Sequence, residues 1–280
     1  MQTLSATARQ MCELFDLPGV VRSLARWHEL IRTMAWRNFS ARYRNSFGGL
    51  FWSVFQPLLM MAIYTIVFSL FLKVRFGKDP SPFAFAAYLL CGLLPWQAFS
   101  EGLSASTGLI RGHTNLVKRT VFPLEILPVN LSLAAALQQL IGFGLLVPLV
   151  WVVKGRLQWT ILLVPVILAL QLLFATGMNW IVSSLAVFVP DLRQLVTLLT
   201  TAWVFMTPIF YPQEVAPPWG QVIFRLNPMA RLVNLYRDAF MNGLWPDLPA
   251  FAVTAAVCLF VFLAGYSLFV QLKKGFIDVL

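Results

Sequence analysis

The residues able to carry chemistry are few. His28 and His113 are the only histidines. They lie far apart with no carboxylate at helical spacing, so neither a metal site nor a histidine base is indicated. Cys12, Cys91 and Cys258 are odd in number and widely separated, which suits neither a disulfide framework nor a thiolate zinc site. Phosphate cradling requires a glycine-rich run ending in Gly-Lys-Ser/Thr, but Gly77-Lys78 is followed by Asp79. Glu101, Glu125 and Asp191 fall at the edges of apolar runs whose middles are essentially free of ionisable groups. That disfavours an ion-coupled transporter and leaves a uniporter or channel open. What remains is aromatic surface, 24 Phe, 10 Trp and 6 Tyr. Pro57, Met61, Tyr64, Phe68 and Phe71 follow one helical face, and Trp203, Met206 and Phe210 another. For any one of them, lipid contact or bundle packing is the plain reading. As a set they offer planes on which CH-rich sugar faces stack, letting a glycan slide.

The elements that must position these residues are set by composition. Of 280 residues, 59% are apolar and 11% charged, with mean hydropathy +0.75, against about 45–50% and about 25% in soluble proteins. This is an all-α integral membrane protein. Six uncharged apolar runs are long enough for a bilayer: Leu50 to Leu72, Phe83 to Phe99, Ile126 to Val153, Trp159 to Val189, Leu192 to Phe210 and Pro249 to Leu272. The alternating strands of a membrane barrel are absent. The chain divides into a 1–49 segment and a 50–280 six-span domain. No cleavable signal is apparent in residues 1–49, so the first span is expected to act as its own insertion signal. The net charge of +10 flanks apolar runs, where anionic lipid heads lie, so it reads as a topology signal and not as a nucleic-acid footprint. Six spans put both termini on one side. That side carries 13 Lys and Arg against eight, so it is expected to be cytoplasmic.

Three segments outside the spans have pattern of their own. Between Arg22 and Arg44, Leu24, Trp27, Ile31, Met34 and Ala35 share one helical face, while Arg22, Arg26, Arg37 and Arg44 share the other. An amphipathic helix flat on the inner leaflet is expected. The 101–125 loop, with Arg111, His113, Asn115, Lys118 and Arg119, is expected to hold a short surface helix. The 211–248 stretch is too apolar for a solvated loop. Pro217 and Pro218 open one short helix there, with Trp219, Val222, Ile223 and Leu226 on a face. Asn227 caps a second, with Pro228 at its first position and Met229, Leu232, Val233, Tyr236 and Phe240 as its stripe. The pair is expected either in the outer headgroup region or as a re-entrant hairpin. Pro57, Pro95, Pro165 and Pro208 are candidate kinks.

Several strings resemble one family. They are Arg42-Tyr43-Arg44-Asn45-Ser46-Phe47-Gly48-Gly49-Leu50-Phe51-Trp52 with Gln56-Pro57-Leu58; Asn115-Leu116-Val117-Lys118-Arg119 with Phe122-Pro123-Leu124-Glu125-Ile126-Leu127-Pro128; Asp191-Leu192-Arg193; Thr207-Pro208-Ile209-Phe210-Tyr211-Pro212; and Asn227-Pro228-Met229 with Arg237. In this order they are similar to the transmembrane subunits of polysaccharide-exporting ABC transporters. The resemblance implies a permease of the bacterial cytoplasmic (inner) membrane that forms a homodimer and docks two copies of a nucleotide-binding ATPase. ATP and Mg would sit on that partner, with no cofactor on this chain. The substrate would be a lipid-linked glycan of O-antigen, capsule or teichoic-acid type. It further implies ATPase coupling by Arg111, His113, Asn115 and Lys118 with Asp191 and Arg193, and an interface-helix collar including Arg22, Trp27, Arg37, Arg42 and Arg44. A translocation path along Tyr64, Phe68, Phe71, Trp203, Met206 and Phe210 and an outer gate of Trp219, Ile223, Met229 and Tyr236 complete the set. A drug or lipid exporter and a passive channel stay as alternatives.

Overall fold

The structure, a computed structural model, describes residues 17–44, 51–71, 81–118 and 122–280, and every regular element among them is helical. Helices α1 (Leu17–Arg26) and α2 (His28–Arg44) meet at a break at Trp27. Helix α3 (Phe51–Tyr64) runs on as a π-helix, Thr65–Phe71. Then come α4 (Pro82–Ser106), two single turns α5 (Leu109–Gly112) and α6 (Thr114–Val117), and α7 (Ile126–Lys154). A 3₁₀ turn, Trp159–Leu163, leads into α8 (Val164–Phe188), followed by α9 (Leu192–Phe205). Beyond lie α10 (Pro218–Leu226), α11 (Pro228–Arg237) with a π-turn Asp238–Asn242, α12 (Leu248–Lys273) and α13 (Phe276–Val279).

Four helices, Pro82–Ser106, Ile126–Lys154, Trp159–Phe188 and Leu248–Lys273, are long and apolar enough to cross a membrane. The apolar helices α3 and α9 are shorter. At 14 residues, α9 reaches about 21 Å against a hydrocarbon core of about 30 Å. The expected 192–210 run stops early as helix because Pro208 has no N–H and its ring collides with the preceding turn. The second run is longer than expected, reaching Ser106, so Glu101 lies within α4 and not in a loop. Pro57 and Pro95 do sit inside helices, whereas Pro165 opens α8 and Pro208 lies past the end of α9.

In lipid, helices gain little from apolar contact alone, so close packing and internal hydrogen bonds must hold them together. Both are present. Helix α12 lies along α8, and the backbones touch where both residues are glycine. A Cβ on Gly265 would fall 2.2 Å from the Gly177 carbonyl oxygen, and one on Gly177 would fall 2.4 Å from that of Val261. Helix α7 packs against α4 and α8. At its middle, Gln139 and Gln171 pair reciprocally through both amides, at 2.9 and 2.8 Å. Gln171 also donates to the Pro95 carbonyl at 3.2 Å, and Tyr236 donates to the Gln171 carbonyl oxygen at 2.8 Å. Asn179 donates to Ser132 Oγ at 2.9 Å nearer the Ile126 end.

Changing Gln171 to Leu leaves Gln139 Oε1 without its donor and the Tyr236 hydroxyl without its acceptor in a buried site, while Gln139 Nε2 keeps only the Tyr236 hydroxyl at 3.3 Å, which costs about 1–3 kcal/mol. Thermal unfolding in nanodiscs should show a midpoint lowered by several degrees. Gln139→Leu combined with Gln171→Leu should cost less than the sum of the two single changes, because neither amide is then left facing a missing partner and only the Tyr236 hydroxyl remains unpaired.

Candidate functional site

At one end of the bundle the chain between α9 and α12 folds back inside. Helix α11 buries Met229, Leu232, Val233 and Tyr236, and the π-turn after it buries Phe240. The expected stripe of α11 therefore faces protein, with Phe143 in ring contact with both Tyr236 and Phe240 at 5.1 Å. Helix α10 is turned the other way. Of its expected apolar face, Trp219, Val222 and Leu226 are exposed and Ile223 is half-buried, while Gly220 and Phe224 are covered. Its apolar stripe does not face the bundle, and the two short helices are unequal: one is an anchor and the other a rim.

The backbone ladder breaks after Phe205, and each carbonyl left without a partner inside the protein is expensive unless a side chain reaches it. The signature residues perform that task. Asn227 caps α11 by accepting from the Met229 N–H at 3.0 Å. The same side chain donates to the Met206 carbonyl and to Thr207 Oγ1 at 3.0 Å, and accepts from Trp203 Nε1 at 3.0 Å. Arg237 is buried and donates to the Ile209 carbonyl at 3.1 Å. Thr160 donates to the Ala239 carbonyl at 2.8 Å, fastening the π-turn to the start of the third long helix, Trp159–Phe188. Asp238 accepts from Asn242 at 2.8 Å. Burial pushes its carboxyl above the ordinary value, with the Asn242 hydrogen bond and the Arg237 charge opposing.

The expected path residues separate in the structure. Tyr64 and Phe210 are in ring contact at 5.3 Å. Trp203 packs inward against Trp96, Phe99 and Phe174. Phe71 and Met206 are exposed. The Phe68 side chain lies outside the described residues. On α9 the outward face consists of Leu195, Leu198, Leu199 and Phe205, all exposed.

At the opposite end, α5 and α6 replace the single helix expected over 111–118. The chain breaks at His113, whose backbone leaves the helical region (φ −118, ψ 32). His113 Nδ1 bonds to the Leu109 carbonyl at 2.8 Å, and Thr114 Oγ1 donates to the Arg111 carbonyl at 2.7 Å. Leu109, Ile110 and Val117 sink into a cluster with Val20, Leu124, Trp180, Val187, Phe269 and Phe276. Arg111 donates to the Val187 carbonyl at 2.9 Å, tying this loop to the end of α8 just before the turn that carries Asp191 and Arg193. Arg111, Asn115, Lys118, Asp191 and Arg193 are exposed together at that end, and His113 is half-buried. Glu125, expected as an interfacial cap, makes no cap with its side chain. It pairs with Lys273 at 2.6 Å, and its carbonyl accepts from Trp180 Nε1 at 2.9 Å.

The amphipathic segment is not one helix lying free on lipid. Ile31, Ala35 and Phe39 are buried, α2 packs on α7, and Leu24, Trp27 and Met34 are half-buried. Arg22, Arg26 and Arg37 are exposed, with the Arg26 guanidinium 5.7 Å from the Trp27 ring centre. Arg42 and Arg44 lie in α2, but their side chains fall outside the described residues. The buried glutamines and the glycine pair escape a reading that searches spans only for charge. Gln139 and Gln171, neutral amides within apolar runs, were the available signal.

Residues 29–241 match the family described as ABC-2 type transporter. The O-antigen export system permease protein RfbA of Myxococcus xanthus is 28% identical over 265 residues, covering 92% of this chain and 98% of that one. RfbA of Klebsiella pneumoniae is 28% identical over 254 residues, covering 90% and 95%. The polysialic acid transport protein KpsM of Escherichia coli is 26% identical over 239 residues, covering 81% and 90%.

Proposed function

The chain belongs to the ABC-2 type transporter family, and from that premise we propose that it is the permease subunit of an ATP-driven polysaccharide exporter. The observation that carries this reading is that the chain spans nearly the whole length of relatives named for O-antigen export and polysialic acid transport. The cargo is a lipid-linked glycan moved outward across the cytoplasmic membrane, with six spans, both termini inside, and residues 1–49 forming the cytoplasmic segment. Two permeases form a homodimer and each docks a separate ATPase subunit that holds ATP and Mg.

Several features of the bundle support these parts. Exposed Arg111, Asn115 and Lys118 stand beside Asp191 and Arg193 on one apolar platform, a surface suited to receiving a push from a partner. The platform joins α1, the α8 terminus and the end of α12, so force delivered there reaches several helices at once. Helix α9 buries only Val196 and Thr200, and its exposed leucines and Phe205 suit a twofold contact and path with α3. Helix α11 anchors the outer hairpin while Trp219 and Ile223 on α10 form the rim of a gate.

The test is reconstitution in proteoliposomes loaded on one face with lipid-linked polymer extracted from the producing cells. Polymer should reach the opposite face only when both the ATPase subunit and hydrolysable ATP are present. Transfer at the same rate without the ATPase would mark a passive channel, and ATP-driven transfer of dye or phospholipid in place of polymer would mark a drug or lipid exporter.

A further inference from the structure

A cleft of about 1060 Å³ opens between α2 and the α7–α8 pair. It lies on the far side of α7 from α4. Gly142 of α7 points at Leu94 of α4, whereas Leu133, Leu137 and Leu140, on the opposite face of α7 by helical rotation, line the cleft with Leu168 and Leu172 of α8. The two long helices contribute only leucine and alanine to this wall.

The facing wall is polar. Buried Ile31 and Ala35 seat α2 on α7, and beside that stripe His28, Arg32 and Trp36 follow one another at four-residue spacing along the cleft. Arg37 lies on the same wall, and its two arginines outweigh the single acid, Glu29. Both guanidinium groups are exposed, and neither pairs with a carboxylate among the described residues.

Charge and grease are also separated in depth. Met34 Sδ of α2 accepts from Asn130 at 3.6 Å, a contact about 6 Å along α7 from Ile126. The leucines of α7 lie about 10 to 21 Å from that end, and those of α8 about 24 to 30 Å from Phe188. The aliphatic wall therefore rises from the charged end through roughly one leaflet, half of a hydrocarbon core of about 30 Å.

This polarity selects the occupant. A sugar finds no hydrogen-bonding group on the leucine wall. A free phosphate pairs with the arginines but leaves the leucines uncovered. A segment of a water-soluble partner stops short of the upper leucines, and an apolar membrane helix leaves the arginines unmatched. An anionic phospholipid meets both walls, phosphate against guanidinium and acyl chain against leucine. Exposed Trp36 stands where they join, the level that tryptophan favours in a bilayer.

We propose that this cleft binds one anionic phospholipid of the bilayer, its phosphate at Arg32 and Arg37 and an acyl chain along α7 and α8, in the leaflet on the α5 and α6 side. The site lies across α7 from α3 and Tyr64, apart from the aromatic path, and it holds whatever the cargo is. The bound lipid bridges α2 to the long helices.

The test is native mass spectrometry of the permease–ATPase complex, delipidated in detergent and titrated with dioleoyl phosphatidylglycerol, phosphatidylethanolamine or phosphatidylcholine. One phosphatidylglycerol should bind per permease copy, at least about tenfold tighter than phosphatidylcholine. Arg32→Gln with Arg37→Gln should weaken it about thirtyfold, since each basic group near a membrane surface is worth about fivefold. Both positions are exposed, so the fold should survive. Leu137→Trp, which fills the cleft and keeps the arginines, should also remove the tight site; if it fails to assemble, the arginine variant carries the test. Glycerol 3-phosphate at equal concentration should not compete. Equal affinity for the three lipids, an unchanged affinity in the arginine variant or competition by glycerol 3-phosphate overturns the proposal. So does phosphatidylglycerol binding that appears only once the ATPase is removed, which would make the ATPase the occupant.

Discussion

Gly265→Leu should strongly destabilise the permease. The new Cβ would lie 2.2 Å from the Gly177 carbonyl oxygen, 2.8 Å from its carbon and 2.9 Å from its Cα. All three are backbone atoms of a helix interior, so no side chain can rotate aside and one helix must move. Overpacking commonly costs about 1–3 kcal/mol even where side chains yield, so a rigid backbone clash is expected to exceed about 3 kcal/mol. For a domain of this size that is a fall of about 10 °C in the unfolding midpoint, measurable by scanning fluorimetry in detergent. Gly177→Leu should behave alike because its Cβ would meet the backbone of Val261 and Phe262 on α12, one turn from Gly265. Gly144→Ala is the control: nothing lies within 4 Å of its Cβ, and an alanine within α7 should be neutral or stabilising by up to about 1 kcal/mol. A midpoint for Gly265→Leu within two or three degrees of wild type would mean that α8 and α12 do not approach at this point.

Reversing charge at both Arg111 and Arg193 should uncouple the permease from its ATPase while leaving the bundle folded. Both side chains are exposed at the platform end, so the fold loses little beyond the Arg111 bond to Val187. An interface that meets like charge where it expects opposite charge loses several kcal/mol, which is about a hundredfold or more in affinity. Export and permease-stimulated ATP hydrolysis should both fall more than tenfold, with co-purification of the ATPase lost. Arg111→Gln alone separates the contributions: it removes the charge while an amide can still reach toward Val187, and it should retain most assembly. Arg225→Glu, at the other end of the molecule, should leave coupling intact. Full ATPase stimulation by the double variant would remove these residues from the docking surface.

How much of this was legible in the residues differs by element. Helices α4, α7, α8 and α12 were readable because a continuous apolar run of bilayer length is a local property. So were α10 and α11, whose starts are marked by Pro217-Pro218 and by Asn227-Pro228, a capping side chain followed by a residue that tolerates the missing N–H. Hydropathy alone does not mark the end of α9, because it continues through Phe210 while the helical hydrogen bonding ends at Phe205. The sequence suggests one surface helix because His113 itself carries no breaker signature, whereas the structure has two turns, Leu109–Gly112 and Thr114–Val117. Its break follows from Leu109, Ile110 and Val117 seeking the same apolar cluster.

Orientation was the harder quantity. The stripe on α11 and the stripe on α10 look alike in sequence, yet one is wholly buried and the other largely exposed. Periodicity reports that a face is apolar, and whether protein or lipid covers it depends on neighbours remote in the chain. The same limit applies to Trp203, which joins Trp96, Phe99 and Phe174 inside the bundle, although its spacing with Met206 and Phe210 points to a path.

By itself the sequence determined that this chain lives in a membrane as helices, roughly where those helices run, and which family it resembles. Hydropathy, proline punctuation and short motifs each act within a few residues, so a linear string carries them. Only the tertiary structure decided that Gln139 faces Gln171, that Gly177 faces Gly265, that Arg237 serves the Ile209 carbonyl and that Arg111 reaches Val187. Each is a meeting of residues far apart in the chain. In lipid, where apolar contact alone discriminates little, such polar and close-packed meetings fix which helices pair and in what register.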